Sequence, residues 1–116
     1  MPGRTVSKPW GHELIWAQTA SYVGKILVVR AGEALSLQFH ERKDETVMLL
    51  SGEMDFTSHT ETSAPITQRM QPREPIHIPP GLRHRMVAIT DCEIVEVSTP
   101  ELDDVVRLED RYGRTP

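Results

Sequence analysis

Gln38, His40 and Glu45 lie within eight positions of one another in the stretch Gly32 to Gly52, GEALSLQFHERKDETVMLLSG. They offer an amide oxygen, an imidazole and a carboxylate. His84, in the later segment Pro79-Pro80-Gly81-Leu82-Arg83-His84, offers a second imidazole. Two imidazoles, one carboxylate and one amide oxygen suit a divalent first-row metal, with water or substrate in the remaining positions. Zinc is the expected ion, and manganese, iron, nickel and cobalt remain open. A lone buried histidine is usually a packing residue; the spacing of these four favours joint ligation.

The elements that must position them read as strands. Residues two apart on a strand share a face, so Gln38 and His40 project together while Leu37 and Phe39 face the other way. Glu45 follows a four-residue turn, Glu41 to Asp44, and opens the next strand. His84 starts a strand after a Pro-Pro-Gly turn. Elsewhere WGHELIWA, YVGKILVVR, EMDFTS, RHRMVAI and EIVEVST have the alternation or β-branched content of strands, and Ser51-Gly52 marks a tight hairpin. Ser58 to Ala64 is loop-like. About nine or ten short strands between Gly/Pro turns predict an all-β sandwich or barrel. In the tail, Leu102, Val105, Val106 and Tyr112 can form one apolar helical face with Asp103 and Asp104 near its start, which predicts a short C-terminal helix.

With 116 residues the chain is expected to be a single domain, 1–116. Its 13 basic and 17 acidic residues, net charge −4, argue against nucleic-acid binding. No signal peptide or membrane-spanning run is apparent, and a cytoplasmic location is expected. Cys92, between two acidic residues, reads as a structural thiol. His12 and His59 read as surface or packing residues, and Trp10 and Trp16 as core or dimer contacts rather than a sugar-stacking platform.

The pattern Gly32-x5-Gln38-x-His40-x4-Glu45-x6-Gly52, followed by Pro79-x-Gly81-x2-His84, resembles the two motifs of the cupin superfamily. Within it, Lys8-Pro9-Trp10-Gly11, LSLQFH, His84-Arg85, Glu96-Val97 and the ending LDDVVRLEDRYGR are similar to the C-terminal isomerase domain of type II phosphomannose isomerases. The resemblance implies a cupin double-stranded β-helix, or jelly-roll barrel, and a metal held by Gln38, His40, Glu45 and His84. It also implies chemistry or recognition directed at a phosphorylated sugar. The chain departs from the family where Thr46-Val47 stands in place of His-Trp, and where Glu41-Arg42-Lys43-Asp44 replaces a histidine-rich, arginine-containing stretch. The pocket mouth is therefore expected to differ. The guanylyltransferase part is absent, so no nucleotide chemistry is expected of this sequence.

For a mannose-6-phosphate isomerase-like reaction, an aldose–ketose interconversion, a base must shuttle a proton between adjacent carbons. The candidates are His77, Lys43 and Glu45. Phosphate calls for fixed cations, for which Arg85, Arg83 and Arg42 stand closest in sequence to the motifs. Parity points Arg83 and Arg85 outward if His84 points inward. Two rival readings are a non-catalytic metal-binding cupin that recognises a small sugar-like ligand and, less favoured, an iron-dependent oxygenase. The run TVMLL is apolar on both parities, and with Met48 and Leu50 on the outer one an isologous homodimer is expected.

Overall fold

A computed structural model describes residues 3–115, which form eleven strands. In chain order these are β1 (Arg4–Lys8), β2 (Gly11–Gln18), β3 (Val23–Val29), β4 (Leu37–Phe39), β5 (Glu45–Ser51), β6 (Met54–His59), β7 (Ile66–Arg69), β8 (Pro75–Ile78), β9 (Arg83–Ala88), β10 (Cys92–Ser98) and β11 (Val106–Glu109). They pair antiparallel into a six-stranded sheet, β1-β2-β3-β10-β5-β8, and a five-stranded sheet, β11-β4-β9-β6-β7. The chain passes back and forth between the sheets, which is the jelly-roll arrangement of the cupin fold.

Period-2 alternation sets the interior. Leu27 and Val29 of β3, Val47 and Leu49 of β5, Ile94 of β10 and Ile78 of β8 face Met54, Phe56, Met86 and Ala88 of the other sheet in one apolar core. Cys92 joins that core as the packing residue its surroundings imply, its thiol donating to the Glu53 and Thr90 carbonyls. Trp10 is buried in the core, whereas Trp16 lies exposed on the outer face. Gly52 makes the β5–β6 hairpin possible: its φ is +92°, and a Cβ there would stand 2.3 Å from the Asp91 carbonyl oxygen.

The expected C-terminal helix does not form; among the described residues there is no helix. Residues 100–105 instead run through tight turns, with Leu102 N–H donating to the Pro100 carbonyl at 2.8 Å and Val105 N–H to the Asp103 carbonyl at 3.0 Å. The chain then adds β11 to the edge of β4, pairing Val106 with Phe39 and Arg107 with Gln38. The physical reason lies in β4, a strand of three residues whose free edge would otherwise be open. Covering it satisfies more backbone groups than one isolated helical turn could.

The two motif segments are tied directly to each other. Gly81 N–H donates to the His40 carbonyl at 2.8 Å, and Gln38 stands opposite His84 in the β4–β9 register.

Candidate metal centre and its cavity

His40, Glu45 and His84 converge in the barrel interior. Each offers one ligand-type atom, and these atoms lie within 4.8 Å of one another. His40 Nε2 is 3.4 Å and His84 Nε2 is 3.5 Å from the same Glu45 Oε1, and all three side chains are buried. The far nitrogen of each ring is committed elsewhere. His40 Nδ1 sits 2.6 Å from the Asp104 carbonyl, and His84 Nδ1 sits 3.0 Å from the Leu82 carbonyl. A carbonyl only accepts, so both Nδ1 atoms carry protons, and Nε2 is the ring nitrogen left to offer a lone pair. Neither Nε2 has a hydrogen-bond partner among the described residues.

Burial pushes the His84 imidazolium pKa down, outweighing the pull of Glu45 in the other direction. Burial alone would raise Glu45; the close approach of His40 and the charge of Lys43 overcome it and hold the carboxyl far below the usual range. Two imidazole nitrogens and one ionised carboxylate at a single buried point form a donor set that fits a divalent metal.

Gln38 is half-buried and directed to the same face, with its Oε1 accepting from Ser36 Oγ at 2.6 Å. Lys43 is buried, with Nζ 2.9 Å from Glu45 Oε2 and 3.0 Å from Glu96 Oε2. Burial would lower its pKa, but the Glu96 and Glu45 carboxylates raise it well above the ordinary lysine value. Lys43 is thus held as a cation. Glu96 is drawn upward by burial and by Glu45. It also faces Lys25 at 3.9 Å, which in turn meets Glu13 at 3.2 Å. An alternating chain of charges therefore runs from Glu45 through Lys43, Glu96 and Lys25 to Glu13.

These groups line a cavity of about 450 Å³ between the sheets, with Gln38, His40, Arg107 and Arg114 also on its wall. Several of the expected site residues lie elsewhere. His77 stands opposite Thr46 on the outer face of β8, exposed, with its Nε2 2.6 Å from Asp44 Oδ1. Arg83 points outward, its guanidinium 4.2 Å from the Phe39 ring centroid and bonded to the Gly81 carbonyl. Arg85 also leaves the interior and bonds the Leu35 carbonyl and Glu109. Arg42 is exposed beside a shallow depression formed with residues 100–106.

Glu13, Lys25 and Glu96 were missed from sequence, although a signal existed. Lys25 shares the inward parity of Val23, Leu27 and Val29, and Glu96 that of Cys92 and Ile94. Asp104 was missed as well. Its carboxylate accepts from the backbone N–H of Glu41, Arg42 and Lys43 at 3.1, 2.7 and 2.8 Å. One side chain from the tail thus moulds the turn between His40 and Glu45.

The barrel and its buried His/Glu/His cluster define a cupin. Comparison with known proteins narrows this further. The sequence matches the family profile described as "Mannose-6-phosphate isomerase C-terminal" over residues 2–110, so the chain belongs to the mannose-6-phosphate isomerase C-terminal family. It is 33% identical over 116 residues to "Mannose-1-phosphate guanylyltransferase ManC" of Salmonella typhimurium, a match covering 96% of this chain and 23% of that protein. It is 31% identical over 117 residues to "Xanthan biosynthesis protein XanB" of Xanthomonas campestris, covering 97% of this chain and 24% of that one. The chain thus spans about a quarter of the length of these curated relatives.

Among solved structures, the capsular polysaccharide assembling protein CapF from Staphylococcus aureus superposes with a TM-score of 0.78 at 18% identity, over 95% of this chain and 33% of that one. Oxalate decarboxylase from Bacillus subtilis superposes with a TM-score of 0.80 at 15% identity, over 98% and 32%. Both likenesses establish the fold. No helix among the described residues is long and apolar enough to cross a membrane.

Proposed function

We propose that this domain binds a divalent metal through His40, Glu45 and His84, with Gln38 as a fourth donor, and acts on a sugar phosphate or similar small sugar in the manner of a mannose-6-phosphate isomerase. The observation that carries the reading is the pair of partnerless Nε2 atoms aimed at one buried carboxylate oxygen. Buried polar atoms without partners are costly, and two of them beside an ionised carboxylate call for a cation. The family match and the names of the relatives, a mannose-1-phosphate guanylyltransferase and a xanthan biosynthesis protein, support a sugar-type ligand.

A divalent cation held there supplies Lewis acidity toward a carbonyl oxygen. The chain's own residues supply the rest. Lys43, held protonated, places a positive charge beside the cluster. Glu96 lines the cavity outside the donor set with a raised proton affinity, which suits it better than the outward-facing His77 to take up and return a proton. The outer face of the six-stranded sheet adds an assembly element to this reading. Leu14, Ile26, Val95 and Met48 stand in register across four strands there, with Leu50 and Val97 exposed nearby, and an isologous dimer would cover them.

The test is direct. Purified protein, its metal content fixed by mass spectrometry, is offered mannose 6-phosphate and fructose 6-phosphate with zinc, manganese, iron, cobalt or nickel. Interconversion that disappears in Glu96→Gln while the metal stays bound is the expected result. Metal binding with no turnover in either direction under any of these ions would overturn the isomerase reading and leave ligand recognition without catalysis.

A further inference from the structure

Arg107 stands in line with the metal-type cluster. On the five-stranded sheet it pairs with Gln38, and Gln38 pairs with His84, so the three residues form one row across β11, β4 and β9. Directly opposed residues on antiparallel strands share a face, and the face is fixed here by His84, which is buried in the interior. With neighbouring strands about 4.8 Å apart, the Arg107 backbone lies roughly 10 Å from that of His84, a span suited to a small ligand between guanidinium and cluster.

The guanidinium is unengaged. Among the described residues it makes no hydrogen bond or ion pair, and its Nε is buried without a partner. The other interior cations differ. Arg114 is held by Asp110 at 2.8 and 3.0 Å, Lys25 by Glu13 at 3.2 Å, and Lys43 by Glu45 and Glu96. Arg4, exposed and also on the cavity wall, donates only to the neutral Gln18 amide at 3.2 Å. Among the described residues, neither Arg107 nor Arg4 on the cavity wall has a carboxylate oxygen within 4.0 Å. Arginine cannot shed its charge, and its planar fork matches the geometry of an oxyanion.

We infer that Arg107 is the anion-recognition residue of this cavity: its fork holds the phosphate of a phosphate monoester whose hydroxyl-bearing end reaches the cluster where His40 and Glu45 line the wall. The inference rests on the proposed sugar-phosphate reading and assigns the residue that selects the phosphate. Both phosphate and carboxylate fit the fork. The two unpaired arginines of the wall, Arg107 and Arg4, match a phosphate dianion better than a carboxylate. A cavity of about 450 Å³ lies within the range of small-ligand sites.

Calorimetric titration of the full chain, metal-loaded and metal-free, tests this with mannose 6-phosphate, mannose, mannuronate and inorganic phosphate as probes. Wild type should bind mannose 6-phosphate more tightly than mannose or mannuronate, with inorganic phosphate competing in both metal states. Arg107→Gln should weaken mannose 6-phosphate binding about 10- to 100-fold, the worth of a charge-assisted hydrogen bond or two. Mannose affinity and metal stoichiometry should not change. Arg107→Lys, which keeps the charge and loses the fork, should fall between.

A measurement on wild type alone guards against misfolded variants: the Arg107 Nε–H resonance should move when phosphate is added. A resonance that stays put, variants that bind mannose 6-phosphate like wild type, or a preference for mannuronate would each overturn the assignment. Failure of isomerisation with metal bound leaves the phosphate titration intact, so the two readings fail separately.

Discussion

Replacing Asp104 by alanine removes three hydrogen bonds that a single carboxylate accepts from the backbone N–H groups of Glu41, Arg42 and Lys43. Bonds to a charged acceptor contribute about 1.5–3 kcal/mol each when dry, but Asp104 is only half-buried and water can re-satisfy the freed groups. A net loss of about 2 kcal/mol is the reasonable sum. An unfolding entropy of about 2.1 cal/mol/K per residue gives about 0.24 kcal/mol/K for 116 residues, so the melting temperature should fall by about 8 °C in the presence of chelator. The turn also carries His40 into place, and the Asp104 carbonyl that receives His40 Nδ1–H is retained in the variant but loses its anchor. Metal affinity should therefore drop about tenfold, the low end for residues that orient ligands.

The backbone hydrogen bonds, that to Arg42 first, hold the Asp104 carboxyl below the ordinary aspartate pKa. Its stabilisation is accordingly complete above the unfolded-state pKa of about 3.9 and disappears as pH falls through the lower folded value. Wild type and Asp104→Ala should converge in stability in acid. Differential scanning calorimetry across that range, with a competitive metal titration, reads all three outcomes. A variant melting within about 2 °C of wild type and binding metal equally would refute the idea that the tail moulds the ligand turn.

Three further outcomes are expected. His40→Ala and His84→Ala should each lose most bound metal, by mass spectrometry, while retaining the β-rich circular dichroism spectrum; full stoichiometry in both would dismiss the site. Lys43→Met leaves Glu45 and Glu96 facing each other in the interior and should destabilise by about 3 kcal/mol in urea unfolding, partly restored when Glu96→Gln is added; absence of that restoration would show that the two carboxylates are not coupled through Lys43. Asp110, whose carboxyl is held down to about 2 chiefly by the Arg114 hydrogen bonds, should stabilise the C-terminal turn by about 1 kcal/mol near neutrality, less than the full shift implies because Arg114 is partly exposed; Asp110→Asn should lose that increment at pH 5 and match wild type as pH falls toward 2.

The Gln38–Glu45 part of the candidate site is legible in the sequence because its geometry is local, whereas His84 joins it only through the barrel that the cupin resemblance implies. Alternation puts Gln38 and His40 on one face, a four-residue turn returns Glu45, and a Pro-Pro-Gly turn introduces His84. His77 shows how little separates inside from outside. It sits between Ile76 and Ile78, and the register that opposes Glu45 to Ile78 turns His77 out beside Thr46. The tail was misread because Leu102, Val105 and Val106 have helical spacing, whereas the decisive demand, an uncovered edge on a three-residue strand more than sixty residues earlier, is non-local. Once the tail is read as helix, Arg107 has no place in the cavity.

The tail is therefore part of the candidate site. Asp104 shapes the turn between His40 and Glu45, its carbonyl fixes the tautomer of His40, and three positions later Arg107 enters the row that begins at His84. All three depend on the chain staying extended beside β4. A helix over the same residues would satisfy its own backbone and leave the β4 edge open, His40 Nδ1 without its acceptor and the cavity without Arg107. Closing a sheet edge and completing a site are, in this barrel, consequences of the same strand pairing.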